Sequence, residues 1–433
     1  MLMQQASSRA LQGHHPLNNQ GVQLAIYIAL GLIAPAAFWM VTRQETIGYP
    51  HINSSLSATG VATIFIWYIL SRLRQYAKAR LLSYVIPVGL LVFAAAAAAI
   101  GIARAPYSIG LFGVCAISTI IVSYVLTALT RLGSNALHIV PGGRVIEMRA
   151  RPEHQFVSSF EEFDELVDSG LITGSVIGDL HFDHPPHWER LFAKAALKGI
   201  PVYHYRQILE LETGQVRIDH LSENVLGSLI PNLPYMAAKR VFDVVVTVLL
   251  SPVLIAIMLV IALVIRFDSK GKVLFFQNRL GFRGEVFRMV KFRTMRDRDV
   301  DTSMGSLRDD AMTRDNDERI TRVGHFLRRT RLDELPQAWN VLWGDMSWIG
   351  PRPEAISLSE WYGLEIPFYS YRHIVRPGLT GWAQVNQGHV TGVGTAGDKL
   401  RFDFYYVKNI SLWLDLLIAL KTLRVVASGF GAR

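Results

Sequence analysis

From Phe242 to Ile265 the chain reads FDVVVTVLLSPVLIAIMLVIALVI. The run is apolar and long enough to cross a bilayer, whose hydrocarbon core takes roughly 20 residues of helix. Ser251-Pro252 interrupts it near the middle. Proline removes a backbone donor and kinks a helix, and the carbonyls it frees need another partner inside lipid, which Ser251 can supply. Lys239, Arg240 and Asp243 flank one end, and Arg266, Asp268, Lys270 and Lys272 the other. Positive charge stays cytoplasmic, so matched basic flanks argue against a crossing. Two half-length helices that enter the bilayer and return fit the pattern, with a proline-kinked fifth span as the alternative.

Working toward the N-terminus, four more apolar windows read as membrane helices: Val22 to Val41, Ser55 to Ser71, Leu81 to Ala103 and Tyr107 to Leu129, the second being the shortest. The first lies too far into the chain, and is too long, for a cleaved signal peptide, so it is expected to be retained. The loop after the second carries Arg72, Arg74, Lys78 and Arg80. The first loop has Arg43 offset by Glu45, and the third only Arg104. The second loop is therefore expected inside, which places the N-terminus and everything after Arg131 in the cytoplasm.

The chain has 433 residues, half of them hydrophobic and only 18% charged, which excludes both a single small module and a disordered chain. Lys plus Arg outnumber Asp plus Glu by 44 to 35. That excess suits anionic lipid or a phosphorylated substrate, whereas no nucleic-acid module or aromatic-basic interleaving is recognisable. Cys115 is the single cysteine and sits in an apolar run, so no internal disulfide or cysteine-based zinc site can form. It reads as a small buried hydrophobe.

From Leu137 the pattern alternates strand and helix: Leu137 to Val140, Phe160 to Ser169, Gly174 to Gly178, His187 to Lys198, Ile200 to Tyr205. This is the grammar of a parallel, Rossmann-like α/β sheet. Its first turn, Ile139-Val-Pro-Gly-Gly143, lacks the spaced glycines of a dinucleotide fingerprint, so a regulatory or packing module is expected rather than an NAD site. His181, His184 and His187, with Asp179 and Asp183 nearby, raise a metal reading. Pro185-Pro186 break any helix that would put the three rings on one face, and the reading stays open.

Beyond the interrupted apolar run, cations cluster. Arg279 lies in Phe275 to Gly281, Lys291 and Arg293 in Phe287 to Met295, and Arg328 and Arg329 in the run Arg322 to Arg331 that leads into Asp333-Glu334. Such a cluster beside a membrane element suits phosphate groups or anionic headgroups. The acidic pair opens a helical pattern with Thr330 as N-cap and Leu335, Ala338, Trp339 and Leu342 facing inward. Adjacent helical residues point about 100° apart, so the two carboxylates cannot flank a sugar from opposite sides as glycosidase carboxylates do. One can act as nucleophile while the other orients it or handles a proton; helix-dipole stabilisation is the plainer account of a lone pair.

The ordered motifs Lys239-Arg-Val-Phe-Asp243, Ser251-Pro252, Lys291-Phe-Arg-Thr-Met295, Arg328-Arg-Thr-Arg-Leu-Asp-Glu-Leu-Pro-Gln337, Gly350-Pro-Arg-Pro-Glu354 and Arg376-Pro-Gly-Leu-Thr-Gly-Trp-Ala-Gln-Val-Asn386 resemble the bacterial sugar transferase family, the monotopic polyprenol-phosphate phosphoglycosyl transferases. The resemblance covers Met236 to about Leu423, and the four spans plus α/β domain before it resemble the family's large members, which begin capsule or exopolysaccharide repeat units. It implies a re-entrant Ser-Pro helix, a catalytic Asp333-Glu334 dyad and a requirement for Mg²⁺, with Asp333 as an expected ligand. The implied reaction joins the sugar-1-phosphate of a UDP-sugar, with UDP-glucose or UDP-galactose expected, to undecaprenyl phosphate and releases UMP. Asp333 is then the expected nucleophile, and Glu334 orients it or assists proton handling. Arg328, Lys291, Arg293, Arg352, Arg376 and Gln384 are expected on phosphate or nucleotide. Gly350-Pro351 and Pro377-Gly378 read as turns that bring loops close to the nucleotide. A glycine-rich segment from Gln387-Gly-His389 to Gly397 departs from many members and leaves the sugar open.

The expected organisation is a tail (1–20), a four-span domain (21–131), a Rossmann-like domain (137–222) and a catalytic domain (235–433), a membrane α/β protein of the bacterial inner membrane with catalysis on the cytoplasmic face. Expected partners are UDP-sugar, undecaprenyl phosphate, membrane lipid and a second copy in a homodimer, with no nucleic acid. The rival class is a non-catalytic membrane scaffold or sensor with a decayed transferase domain, which UMP release from a panel of UDP-sugars distinguishes.

Overall fold

The computed structural model describes residues 17, 19–74, 76, 81–130, 136–148, 154–169, 172, 174–218, 231–295, 319–387 and 393–428. Lys78, Arg80, Arg131, His389 and Val390, which figured in the sequence reading, lie outside the described residues. The chain divides into two compact units, Met1–Gly214 and Gln215–Arg433.

Among the described residues, five helices are long and apolar enough to cross a membrane. The first unit holds four: α1 (Gln20–Arg43), α2 (Pro50–Leu73), α3 (Leu82–Ile102) and α4 (Ile109–Leu129). The second window is not short. It begins at Pro50, where proline at the helix start gives up no hydrogen bond, and its polar entry is absorbed by hydroxyls that donate back one turn, Ser54 to the Pro50 carbonyl (2.9 Å) and Ser55 to that of His51 (2.7 Å). In α1 a π-helical stretch, Tyr27–Ile33, shifts carbonyls out of the regular ladder. Ser118 donates to the Leu30 carbonyl (2.7 Å) and Thr119 to that of Gly31 (3.1 Å), so helix-to-helix hydroxyls supply the bonds that lipid cannot. Cys115 is fully buried among Ala36, Ile52 and Leu111.

The same unit contains a four-stranded parallel sheet in the order β2-β1-β3-β4, formed by β1 (Ala136–Ile139), β2 (His154–Phe156), β3 (Gly174–Gly178) and β4 (Val202–His204). Helices α5 (Phe160–Ser169), α6 (Pro186–Leu197) and α7 (Tyr205–Thr213) cover it. Strand alternation splits the core between two faces. Leu137, Ile139 and Ile177 pack with Tyr205 and Ile208, while Val140 and Val176 pack with Phe163, Val167, Trp188 and Leu191. Strand β2 and helix α7 were not read from sequence; β2 has three residues, two of them exposed, and therefore no apolar alternation to find. The three histidines at three-residue spacing do not converge. His187 packs its ring against Phe160 (4.8 Å), and His184 is buried with Nε2 on the Asp179 carbonyl (3.0 Å).

In the second unit α8 (Leu233–Asp268) is one helix of 36 residues, about 54 Å along its axis at 1.5 Å per residue, and not two separate half-length helices. Helical geometry persists through Ser251-Pro252, where the Ser251 hydroxyl donates to the Val248 carbonyl (2.7 Å). Lys239 and Asp243, counted above as flanking charges, are buried. Lys239 meets Asp415 at 2.7 Å, Ser347 Oγ donates to Asp243 Oδ2 at 2.6 Å, and Trp348 Nε1 donates to Thr247 at 2.9 Å. At the other end Ile261 and Ile265 pack with Phe292 and Leu327. Between them Val248, Leu249, Val253, Ile255 and Leu259 are exposed.

After α8 come an antiparallel hairpin, β5 (Leu274–Leu280) with β6 (Val286–Phe292), then α9 (Arg322–Thr330), a 3₁₀ segment (Leu332–Gln337), α10 (Ala338–Trp343) and β7 (Ser347–Ile349). Next are α11 (Ile356–Glu365), a 3₁₀ segment (Tyr369–Ile374) and β8 (Gly378–Thr380), which pairs in parallel with β7. Helices α12 (Trp382–Gln387), α13 (Val393–Asn409) and α14 (Leu412–Ser428) complete the unit.

Candidate active site

Asp333 and Glu334 do not open an α-helix. Helix α9 is capped by Thr321, whose side chain accepts the Gly324 N–H (2.9 Å), and it ends at Arg331 in the left-handed region (φ 60°). Thr330 is therefore no N-cap, and its hydroxyl donates back to Phe326 (2.8 Å). The chain then makes the 3₁₀ segment carrying the dyad. Three residues per turn instead of 3.6 advance the phase, and the inward face moves. Asn340 and Val341 are fully buried, whereas Trp339, expected inside, is 45% exposed.

The two carboxylates occupy different surroundings, although both are buried. Arg352 grips Glu334 through Nη2 (2.7 Å to Oε1) and Nη1 (3.4 Å to Oε2), with Arg331 at 3.7 Å and Lys291 at 4.0 Å. Burial alone would raise the Glu334 carboxyl, but Arg352 and Lys291 outweigh it and hold the group below the usual range. Asp333 is pushed up, first by burial and then by the Glu334 charge, with Lys291, Arg352 and Arg328 only partly offsetting this. Its Oδ1 is buried with no hydrogen-bond partner among the described residues. Burial also lowers Lys291 to about 8, against the pull of Glu334.

Packing brings these groups together. Lys291 projects from β6, which the side chain of Asn340 pins to α10 by accepting the Val290 N–H (3.1 Å) and donating to the Arg288 carbonyl (2.9 Å). Arg352 follows β7, and the turn that carries it is fixed by close backbone approach. A Cβ on Gly378 would fall 2.1 Å from the Gly350 nitrogen, and one on Gly381 2.2 Å from the Gly350 oxygen. These glycines allow β7 and β8 to meet. Behind Arg352, Arg372 donates to its carbonyl (2.9 Å) and pairs with Asp403 (2.8 Å). Glu354, held low by Lys399 and Arg372 despite burial, completes that layer.

Three expected phosphate ligands are engaged elsewhere. Arg293 donates to the Ser269 carbonyl (2.9 Å) and hydroxyl (2.8 Å), closing the end of α8. Arg376 donates to the Gly344 carbonyl (2.9 Å) and stacks over Phe282, and Gln384 donates to the Leu379 carbonyl (3.2 Å). A wide cavity of about 1190 Å³ lined by Met236, Phe282, Leu364, Tyr369, His373 and Ile374 includes neither dyad residue.

The family model described as bacterial sugar transferase matches residues 234–429. The UDP-N-acetylgalactosamine-undecaprenyl-phosphate N-acetylgalactosaminephosphotransferase of Aeromonas hydrophila is 38% identical over 382 residues, 88% of each chain. The chain belongs to the bacterial sugar transferase family. It is a membrane α/β enzyme, a sugar-1-phosphate transferase by class. Relatives that match a smaller share of this chain include the UDP-glucose:undecaprenyl-phosphate glucose-1-phosphate transferase of Caulobacter vibrioides, 41% identical over 45% of this chain and 72% of its own. The UDP-galactose-lipid carrier transferase of Erwinia amylovora is 34% identical over 55% of this chain and 49% of its own. In this sugar transferase Arg331, Arg279, Arg372 and Asn340 were not singled out from sequence as site residues. Arg279 is half-buried, donates to the Pro353 carbonyl (3.2 Å) and is pushed down to about 10, chiefly by desolvation. Each stands in a motif quoted above or beside one, but motif membership did not separate groups that act on the dyad from groups that hold the frame.

Proposed function

We propose that the enzyme transfers the sugar-1-phosphate of a UDP-sugar to undecaprenyl phosphate through a covalent adduct on Asp333. The observation that carries this reading is the asymmetry of the dyad: Glu334 is saturated by cations, while the neighbouring Asp333 Oδ1 has no hydrogen-bond partner among the described residues. A carboxylate poorly stabilised by its surroundings is the better nucleophile once ionised. Asp333 attacks the phosphorus that bears the sugar; the new O–P bond forms as the bond to UMP breaks, and UMP leaves with the electron pair. The terminal oxygen of undecaprenyl phosphate then attacks the same phosphorus, and Asp333 departs as carboxylate. Arg352 fixes Glu334, which orients Asp333, while Lys291, Arg331 and Arg328 supply positive charge for the phosphate oxygens.

Magnesium fits this donor set only together with the diphosphate, because Glu334 is committed to Arg352 and Asp333 alone offers a hard oxygen, amid cations. When bound, the ion would be held on the protein side by Asp333 and would supply positive charge that offsets the charge developing as UMP departs. The Aeromonas hydrophila relative, which matches over 88% of each chain, names UDP-N-acetylgalactosamine, so that donor stands ahead of the expected UDP-glucose and UDP-galactose. For the lipid side, one compact unit holds both ends of α8 while its middle is exposed. A span would put those ends on opposite sides of a core about 30 Å thick. These contacts support a single α8 that bends at Ser251-Pro252 and returns to the cytoplasmic face of the inner membrane instead of crossing it.

The test is single-turnover UMP release from UDP-N-acetylgalactosamine in detergent. The wild type releases UMP before lipid is added and yields a sugar-phosphate adduct on rapid quench, and Asp333→Asn does neither. Because Asp333 must be ionised, the acid limb of the rate lies above its ordinary value of 3.8. UMP release that needs both substrates together, with no adduct trapped, overturns the covalent scheme.

A further inference from the structure

We propose that the parallel sheet of the first unit carries a zinc site formed by Asp179, His181 and His204. One donor atom from each lies within 4.8 Å of the others. Asp179 follows β3 and His204 ends β4, so the group sits at the C-terminal edge of the sheet. In the order β2-β1-β3-β4 the chain leaves β1 on one side and returns on the other, and the crevice at such a reversal is where open parallel sheets bind ligands.

The loop after β1 is shaped around this group. Gly142 (φ 135°) and Gly143 (φ 60°) turn it inward, and a Cβ on Gly143 would fall 2.4 Å from Asp179 Oδ2. The Arg144 N–H donates to that oxygen (3.0 Å) and the His181 N–H to Oδ1 (3.3 Å). His184 fixes the Asp179 carbonyl from behind. The glycine pair that fails as a dinucleotide fingerprint thus serves to seat a carboxylate, the outer support a metal ligand needs.

A second observation is independent of the clustering. His204 Nε2 is buried with no hydrogen-bond partner among the described residues, although the ring lies 4.7 Å from that of His181. Two imidazoles and one carboxylate exclude Mg²⁺ and Ca²⁺, which take oxygen, and suit zinc. Bonds of about 2.0–2.1 Å bring tetrahedral donors to roughly 3.4 Å of one another. Rotation of His181, which is exposed, closes the set. Three protein donors leave a coordination position open for water or an anionic ligand.

Equilibrium dialysis of the full chain in detergent against Zn²⁺ at neutral pH tests this. The wild type binds one ion that survives Asp333→Asn. His181→Gln and His204→Gln each weaken it by at least roughly 10-fold, a loss that even outer-shell changes produce. His187→Gln, whose ring packs on Phe160 and Trp188, leaves it unchanged. Co²⁺ in place of Zn²⁺ gives a visible absorption band that His181→Gln abolishes, which does not depend on the folding of the His204 variant. No bound Zn²⁺ in the wild type, unchanged binding in both histidine variants, or loss in Asp333→Asn with retention in His204→Gln overturns the proposal.

Discussion

Replacing Arg352 with Met removes the strongest partner of Glu334 while keeping much of the side-chain volume. Two unit charges 4 Å apart attract by about 4 kcal/mol at an effective dielectric near 20. Lys291 at 4.0 Å and Arg331 at 3.7 Å remain, so the loss falls at the low end for breaking a buried pair, about 3 kcal/mol. At roughly 2–4 °C per kcal/mol for a unit of this size, the variant melts roughly 6–12 °C lower at neutral pH. The sign against pH follows from Glu334. Its folded value is depressed below 4.5, so the stability it contributes is present above 4.5 and is lost as pH falls through the lower folded value. Without Arg352 that depression shrinks, and the melting gap between wild type and variant is widest at neutral pH and narrows below 4.5. Thermal melting of both proteins in detergent across this range measures it. A gap that is absent at neutral pH, or that does not change with pH, refutes the assignment of Arg352 as the group that holds Glu334 ionised.

Asn340→Ala leaves the buried Val290 N–H and Arg288 carbonyl without their partner and lowers stability by about 2 kcal/mol, read as a fall in melting temperature; an unchanged melt would mean β6 does not depend on this amide. Cysteines placed at the exposed positions Leu233 and Phe267 in a Cys115→Ala background are both labelled from the cytoplasmic side, and labelling of one of them only from the periplasm would make α8 a crossing helix.

The membrane helices and the strand-helix alternation were legible because apolar length and the period of the hydrophobic pattern are local properties. The errors came where polar residues pair with something distant or with their own backbone. Helix α2 looked short because its first turn is polar, yet Ser54 and Ser55 close their bonds within that turn. Lys239 and Asp243 read as charges flanking the apolar run, yet Asp415 and Ser347, more than a hundred residues away, take them into the interior.

The sequence by itself determined that a membrane α/β enzyme was present, and it placed the acidic pair among cations, since those facts rest on composition, periodicity and motif order. Only the tertiary structure decided which cations lie against the acidic pair. Lys291, Arg331 and Arg352 converge on Glu334 from a strand, a helix end and a strand-following turn, while Arg293 and Arg376, equally conspicuous in the chain, are spent on backbone carbonyls. Arginine looks the same in sequence whether its fork meets a carboxylate or a helix end. The choice between them is made by packing at ångström range, which chain order does not encode locally.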